Sequence, residues 1–543
     1  MNTGSEYQIC IYDTTLRDGS QGEGISFSLA DKLRIAERLD KLGVAYIEGG
    51  WPSSNPKDAE FFRQIRTIPL QNAKIVAFGS TRRAGVPVTD DANLRQLLEA
   101  DTPAVAIFGK SWLLHVREVL KTTAEENLAM IRESCAFLVS NGREVIFDAE
   151  HFFDGFADDP DYAVAVLQAA KDGGASTLTL CDTNGGSMPL TVTEVTAKIC
   201  GLFPDVTVGI HTHNDSDLAV ANAIAAVRAG SRQVQGTVNG YGERCGNANL
   251  CSIIANLELK TPYRCLPPGH LQDLRSASVF VDDIANIRHD RRAPFVGESA
   301  FAHKGGMHVN AVAKVPRTFE HIDPAAVGNE RRVLVSDLSG RSNLVLKAAE
   351  LGFELKDPED QKRLLTVLKE RESQGYEYEA ADASFAVLLH KLFGNWGHYF
   401  KLEGFRVIIE KRLAGDKTIS EATVKLSVNG VSELTAAEGE GPVNALDLAL
   451  RKSLERFYPG IRDVALTDFK VRIPDGSEGT AARTRVLIDS SDGERSWGTV
   501  GLDENIIQAA WEALVDSMEY ALYQRKIQPV IPDPGLDLNQ GKE

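Results

Sequence analysis

The sequence predicts an α/β chain: a closed (β/α)8 TIM barrel, then a mostly helical linker subdomain, then a C-terminal α+β domain. Three observations carry this. Residues 7 to 258 repeat a Val- and Ile-rich run, a polar turn and a helical pattern eight times. From about 262 to 395 the alternation stops and prolines interrupt helical pieces. From about 400 short alternating strands lead into a helix, twice, at an offset of about 61 residues, the mark of an internal pseudo-repeat. These shifts bound the barrel at 1–261, the linker at 262–395 and the C-terminal domain at 396–530, with a frayed tail at 531–543.

The eight runs are QICIYD (8–13), VAYIEGG (44–50), KIVAFG (74–79), AVAIFG (104–109), EVIFDAEH (144–151), TLTLCDT (177–183), DVTVGIHTHN (205–214) and QVQGTVNG (233–240). Between them lie amphipathic stretches such as SLADKLRIAERLDKLG (28–43), where Leu29, Leu33, Ala36, Leu39 and Leu42 recur at helical steps and Gly43 supplies a stop. Strand and helix alternating every 30 residues or so imply parallel strands with helical crossovers. Eight such strands suffice to close a barrel of roughly 250 residues; a doubly wound open sheet is the alternative. Closure puts active-site groups at the C-terminal ends of the strands. In the C-terminal domain the pairs are TVKLSV (423–428) with PVNALDLALRKSL (442–454), and RVLIDS (485–490) with ENIIQAAWEALVDSM (504–518).

The 543 residues are 43% hydrophobic and 25% charged, a globular composition, and the net charge of -17 excludes a general nucleic-acid or anionic-membrane binder. Seven scattered cysteines without a Cys-x-x-Cys pair argue against a disulfide framework or a zinc knuckle. The opening MNTGSEYQICIYD lacks a basic segment followed by an apolar one, and no run of about 18 apolar residues occurs. A cytoplasmic protein without membrane or nucleic-acid partners is therefore expected.

The seventh run ends Gly209-Ile210-His211-Thr212-His213-Asn214, and in a strand residues i and i+2 share a face. Alone, this pair reads equally well as two structural histidines. Asp18, in the loop after the first run, gives it weight, because strands one and seven are next-but-one neighbours in a closed barrel of eight. Two imidazoles and a carboxylate suit a divalent cation with open positions, which a 2-oxo acid could fill. For Asp13 a strand-end hydrogen-bond acceptor is the simpler role, and for Arg17 a solvated loop cation. Other strand ends offer Glu48, Asp148, Glu150, His151, Asp182 and Thr183, with a barrel-mouth salt bridge as the plain role for Glu150 and a cap for Asp182. After the eighth run, glycines around Asn247 let backbone approach a ligand, and Asn247 could add an oxygen donor. Cys245, with no base assigned beside it, is read as a packing residue.

The motifs DTTLRDGSQ (13–21), LGVAYIEGGWPSSNPKD (42–58), CDTNGG (181–186), HTHND (211–215), GYGERCGNANL (240–250) and FAHKGGMHVNAV (301–312) occur in this order. In them the chain resembles the metal-dependent Claisen-condensing acyltransferases of the 2-isopropylmalate and homocitrate synthase family, relatives of the lyases that cleave 3-hydroxy-3-methylglutaryl-CoA. Residues 400–530 resemble that family's allosteric, dimer-forming domain. The resemblance implies a homodimer using acetyl-CoA as co-substrate and a divalent metal (Mg, Mn or Zn) held by Asp18, His211 and His213, with Asn247 at a fourth position. It further implies that Arg17 stabilises the ketone oxygen, that Glu150 is a catalytic carboxylate and that Thr183 contacts the 2-oxo acid. His308 matches a linker histidine reaching the partner subunit's active site, ahead of His303. Where some members place that histidine's tyrosine companion, this chain reads Gly328-Asn329-Glu330-Arg331. The implied reaction removes an acetyl methyl proton, adds the enol to the ketone and hydrolyses the thioester.

EGGWPSSNPKD, FGSTRR (78–83) and FGKSW (108–112) are most similar to the long family members whose acceptor is pyruvate, on the isoleucine route. Phe78 and Phe108, near strand ends, could narrow the acyl pocket to a methyl group, whereas a one-residue shift in phase would turn either ring into helix-facing core. Acceptance of 2-oxoisovalerate, on the leucine route, is the alternative. A lyase is disfavoured by the C-terminal domain, and a non-catalytic amino-acid-binding regulator by the intact ligand positions. Isoleucine is the effector expected at the C-terminal domain.

Overall fold

β1 (Cys10–Asp13) pairs in parallel with both β2 (Tyr46–Gly50) and β8 (Gln233–Gly236), and this double pairing closes the sheet. Between them run β3 (Lys74–Ser80), β4 (Ala104–Lys110), β5 (Glu144–Glu150), β6 (Thr177–Asp182) and β7 (Thr207–Thr212), in sequence order around a closed barrel. The structure, a computed structural model, describes residues 8–335, 341–394, 399–411, 418–474 and 479–530. All eight expected runs are strands, and the open-sheet alternative is excluded.

The helix Leu29–Leu42 shows how the local code works. Ser28 and Asp31 form a reciprocal capping box, satisfying two donors that the first turn leaves over. Ile35, Ala36, Leu39 and Leu42 bury one face, with Leu29 and Leu33 packed at its edge. Fully burying each large aliphatic is worth about 1.5–3 kcal/mol. Gly43 ends the helix at φ 95°, and a Cβ there would lie 2.4 Å from Pro267 Cδ, so conformation and space both demand glycine.

Alternation along the strands divides the barrel into two layers. Ile11, Ile75, Ala77, Val105 and Ile107 point outward into the core beneath the helices. Tyr12, Val76, Phe78, Ala104, Ala106 and Ile146 form a separate interior cluster, with Tyr46, Trp51 and Phe108 packed against it. Phe78 and Phe108 therefore take the interior phase.

The first compact unit extends through Phe301 and takes in Glu320–Arg331, so the helix Leu274–Ala285 packs with the barrel although the sequence groups it with the linker. The second unit comprises Ala302–Phe319 and the chain from Arg332 onward. In it β9 (Ala302–His303) pairs with β10 (Arg332–Val333), and the helices Pro358–Gln374 and Asp382–Phe393 share a core with Leu344 and Val500. Then come β11 (Lys401–Glu410), β12 (Ile419–Val428) and β13 (Val431–Gly439) with the helix Pro442–Phe457. β14 (Ala465–Arg472), β15 (Thr484–Ser491) and β16 (Ser496–Asp503) precede the helix Ile506–Gln524. Both sheets are antiparallel meanders, and the expected repeat is thus three strands and a helix, twice. The tail at 531–543 lies outside the described residues.

Candidate active site

The loop after β1 is locked before it reaches Asp18. Asp13 accepts from the Thr15 backbone N–H and hydroxyl at 2.9 Å each, and Thr15 Oγ1 accepts from Val238 N–H. The Arg17 and Asp18 amides both bond back to Thr14 O, forming a single tight turn. Asp13 thus has the strand-end role foreseen for it. The turn presents Asp18 to the end of β7, where Asp18 Oδ2 lies 3.2 Å from His211 Nε2. His211 Nε2 is in turn 3.2 Å from His213 Nε2. One donor atom from each of the three residues lies within 4.8 Å of the others, and all three side chains are buried.

The donor set fits a divalent cation. Asn247 is joined to His213 by a backbone bridge, and its buried Oδ1 has no hydrogen-bond partner among the described residues, an expensive vacancy for a buried carbonyl. A Cβ at Gly246 would fall 2.0 Å from Gly240 O and one at Gly242 2.2 Å from Asn247 Nδ2, so the loop closes on Asn247 only with glycine at both positions. Burial opposes the charge on Asp18, but Arg17 and His211 outweigh it and hold the carboxyl well below the usual carboxylate range. Burial, then the charge of His211, pushes His213 down to about 3, leaving a neutral imidazole as a ligand requires.

Arg17 is fixed from three sides. Its Nε donates to Glu48 Oε1 at 2.5 Å, its Nη1 is 3.5 Å from Asp18 Oδ1, and its guanidinium carbon stands 3.7 Å over the Phe78 ring. Glu48 is buried within β2 and also accepts from Tyr12 OH at 2.5 Å. Arg17, Asp18, Phe78, Phe108, Glu150, Thr183, His211 and His213 line one 260 Å3 cleft at the C-terminal ends of the strands. Glu150 pairs with Lys110 at the end of β4, so the plain salt-bridge role foreseen for it does exist. Thr183 Oγ1 accepts from the His151 amide at 2.9 Å, which leaves its hydroxyl hydrogen for another acceptor. Asp182 accepts from the amide and hydroxyl of Ser187 and braces the same loop.

His308 belongs to the second unit, where its ring stacks on Phe319 at 4.2 Å. Cys245 is exposed, between Arg244 and Gly246, both at positive φ (55° and 88°), so the packing role expected for it is wrong. Four participants were not singled out from the sequence. Trp51 and Arg244 line the cleft, Lys110 holds Glu150, and Gln235 bonds His211 Nδ1 at 2.8 Å. Trp51 stands one residue past β2 and Lys110 ends β4, so the strand-end rule applied to every polar or aromatic residue would have found both.

A cation-ready trio at the C-terminal mouth of a closed parallel barrel defines a barrel enzyme of the HMGL-like class, and the HMGL-like family model matches residues 8–281. The homocitrate synthase post-HMGL domain-like model matches 295–375, and the LeuA allosteric (dimerisation) domain matches 379–522. An (R)-citramalate synthase of Aquifex aeolicus (strain VF5) is 54% identical over 526 residues, covering 96% of this chain and 99% of its own. One of Geobacter sulfurreducens is 52% identical over 516 residues, covering 95% and 97%. A probable 2-isopropylmalate synthase of Methanopyrus kandleri is more distant, at 30% over 522 residues, covering 96% and 99%. The chain belongs to the (R)-citramalate synthases of the LeuA and homocitrate synthase family.

Proposed function

We propose that this acyltransferase condenses acetyl-CoA with pyruvate and hydrolyses the thioester, giving (R)-citramalate and CoA for isoleucine synthesis. The observation that carries the acceptor is the stack of Phe78 on Phe108, ring centroids 5.6 Å apart, in the same cleft as Arg17 and the trio. Two phenyl rings there narrow the acyl end of the cleft, which favours a methyl over an isopropyl group.

A divalent ion held by Asp18, His211 and His213, with Asn247 in reserve, would supply Lewis-acid polarisation of the ketone. Arg17 opposes the negative charge that develops on the ketone oxygen, and its contacts with Glu48 and Phe78 prevent it from swinging away. Thr183 directs its free hydroxyl hydrogen to the acceptor carboxylate. We assign removal of the acetyl methyl proton to Glu150, whose carboxylate is fixed by Lys110. The resulting enol forms the new carbon–carbon bond to the ketone carbon, and water then cleaves the thioester. His308 serves the neighbouring protomer's site in a homodimer. Isoleucine acts at the LeuA-type domain, and the protein works in the cytoplasm; no helix among the described residues is long and apolar enough to cross a membrane.

Steady-state assays with pyruvate, 2-oxobutanoate and 2-oxoisovalerate test the acceptor. We expect kcat/KM to fall in that order, and a strong preference for 2-oxoisovalerate would favour isopropylmalate synthesis instead. Isoleucine binding that persists after removal of residues 400–543 would refute the effector's location.

A further inference from the structure

A third ring closes the aromatic corner of the cleft. Trp51 meets Phe78 and Phe108 edge-to-face, at centroid distances of 5.7 and 5.8 Å and angles of 87° and 83°. Edge-to-face packing on two stacked rings is a favoured arrangement, so the indole is held by its neighbours as well as by its backbone.

The indole is also anchored by hydrogen bonds. Its Nε1 donates to Asn93 Oδ1 at 2.9 Å, and Asn93 Nδ2 donates to Ser80 O at 2.7 Å, which turns the amide oxygen toward the indole. Ser53 Oγ donates to the same oxygen at 3.2 Å. The Trp51 amide donates to Asp58 Oδ2 at 2.9 Å, and Asp58 pairs with the buried Lys32, whose Nζ also donates to Gly49 O at 3.0 Å. The chain between these points cannot relax: a Cβ at Gly49 would lie 2.2 Å from Phe61 Cε1, and one at Gly50, where φ is 145°, 2.5 Å from Asp58 Cγ. A tryptophan needed only for packing does not require its ring nitrogen, its amide and two glycines to be fixed while one side remains open to a cleft.

We infer that Trp51 is a specificity-determining wall limiting the acceptor's acyl group to a methyl, and that Asn93 is the residue positioning it. This rests on the proposed reading that the aromatic corner receives that acyl group. The test measures kcat and KM for pyruvate, 2-oxobutanoate and 2-oxoisovalerate in the wild type and in Trp51→Ala, Trp51→Phe, Asn93→Leu and Asn93→Asp. One methylene of discrimination is worth roughly 10–200-fold. Trp51→Ala should therefore raise the 2-oxoisovalerate-to-pyruvate ratio of kcat/KM at least tenfold, chiefly through a higher kcat/KM for 2-oxoisovalerate. Trp51→Phe, which keeps a ring in place should the alanine variant fold poorly, should admit 2-oxobutanoate first. Asn93→Leu should shift the ratio in the same direction, and Asn93→Asp, which keeps an acceptor for the indole but loses the donor to Ser80 O, should shift it by less. A wild type that selects pyruvate beside Trp51 variants with unchanged ratios overturns this inference alone. A wild type that does not select pyruvate overturns the proposed acceptor, and this inference with it.

Discussion

His211 Nδ1 donates to Gln235 Oε1 at 2.8 Å. The direction follows from the other end of the amide, whose Nε2 donates to Asp148 Oδ1 at 2.9 Å and to Thr179 Oγ1 at 3.2 Å. With Nδ1 so engaged, Nε2 is the His211 nitrogen turned toward Asp18 and His213, where it would ligate a cation once its proton is displaced. Gln235→Leu should weaken Mn2+ binding by about 10–100-fold. Titration of the metal-free protein by calorimetry reads this directly, and an unchanged affinity would remove Gln235 from the account.

Arg17 is held by geometry that lysine cannot copy, a guanidinium donating to Glu48 while lying flat on Phe78. We expect Arg17→Lys to lower kcat by about 10²–10³, the usual cost of losing one charge-stabilising donor. KM for acetyl-CoA should change little. A lysine variant with wild-type kcat would show that Arg17 serves only to hold the turn.

Lys32 and Asp58 are a buried ion pair, so removing one partner strands the other charge. Lys32→Met should destabilise the barrel by about 3–5 kcal/mol in denaturant titrations. A loss under 1 kcal/mol would mean that water reaches Asp58.

Much of this was legible in the sequence. Strands such as β3 and β4 were visible because they are buried on both faces and read as nearly unbroken apolar runs. That same property hid their phase: in β3, Val76 and Phe78 face inward while Ile75 and Ala77 face the helices, and hydrophobicity does not distinguish the two sets. Asp18, His211 and His213 could be named because they are polar where strands end. Gln235 could not, since nothing local marks a glutamine inside β8 as the partner of a histidine on β7. Lys110 is marked by its place at the end of β4, but its partner Glu150 lies one strand away, so its role was not legible locally.

Asp13 gives a pH signature independent of turnover. Burial lifts its carboxyl to about 7, against the two hydrogen bonds from Thr15 that favour the charged form. An unfolded aspartate titrates near ~3.9, so the folded state binds the proton more tightly. The associated stability is complete below about pH 4 and is lost as pH rises through 7. Asp13→Asn, neutral throughout, should gain in Tm relative to wild type between pH 4 and 8. Parallel Tm curves would contradict this.

The most direct test is a crystal structure of the enzyme soaked with Mn2+ and pyruvate. The account predicts anomalous density between Asp18, His211 and His213, with the pyruvate methyl against Phe78 and Phe108 and its ketone oxygen toward Arg17. Manganese bound elsewhere, or pyruvate with its methyl turned away from the two rings, would contradict it.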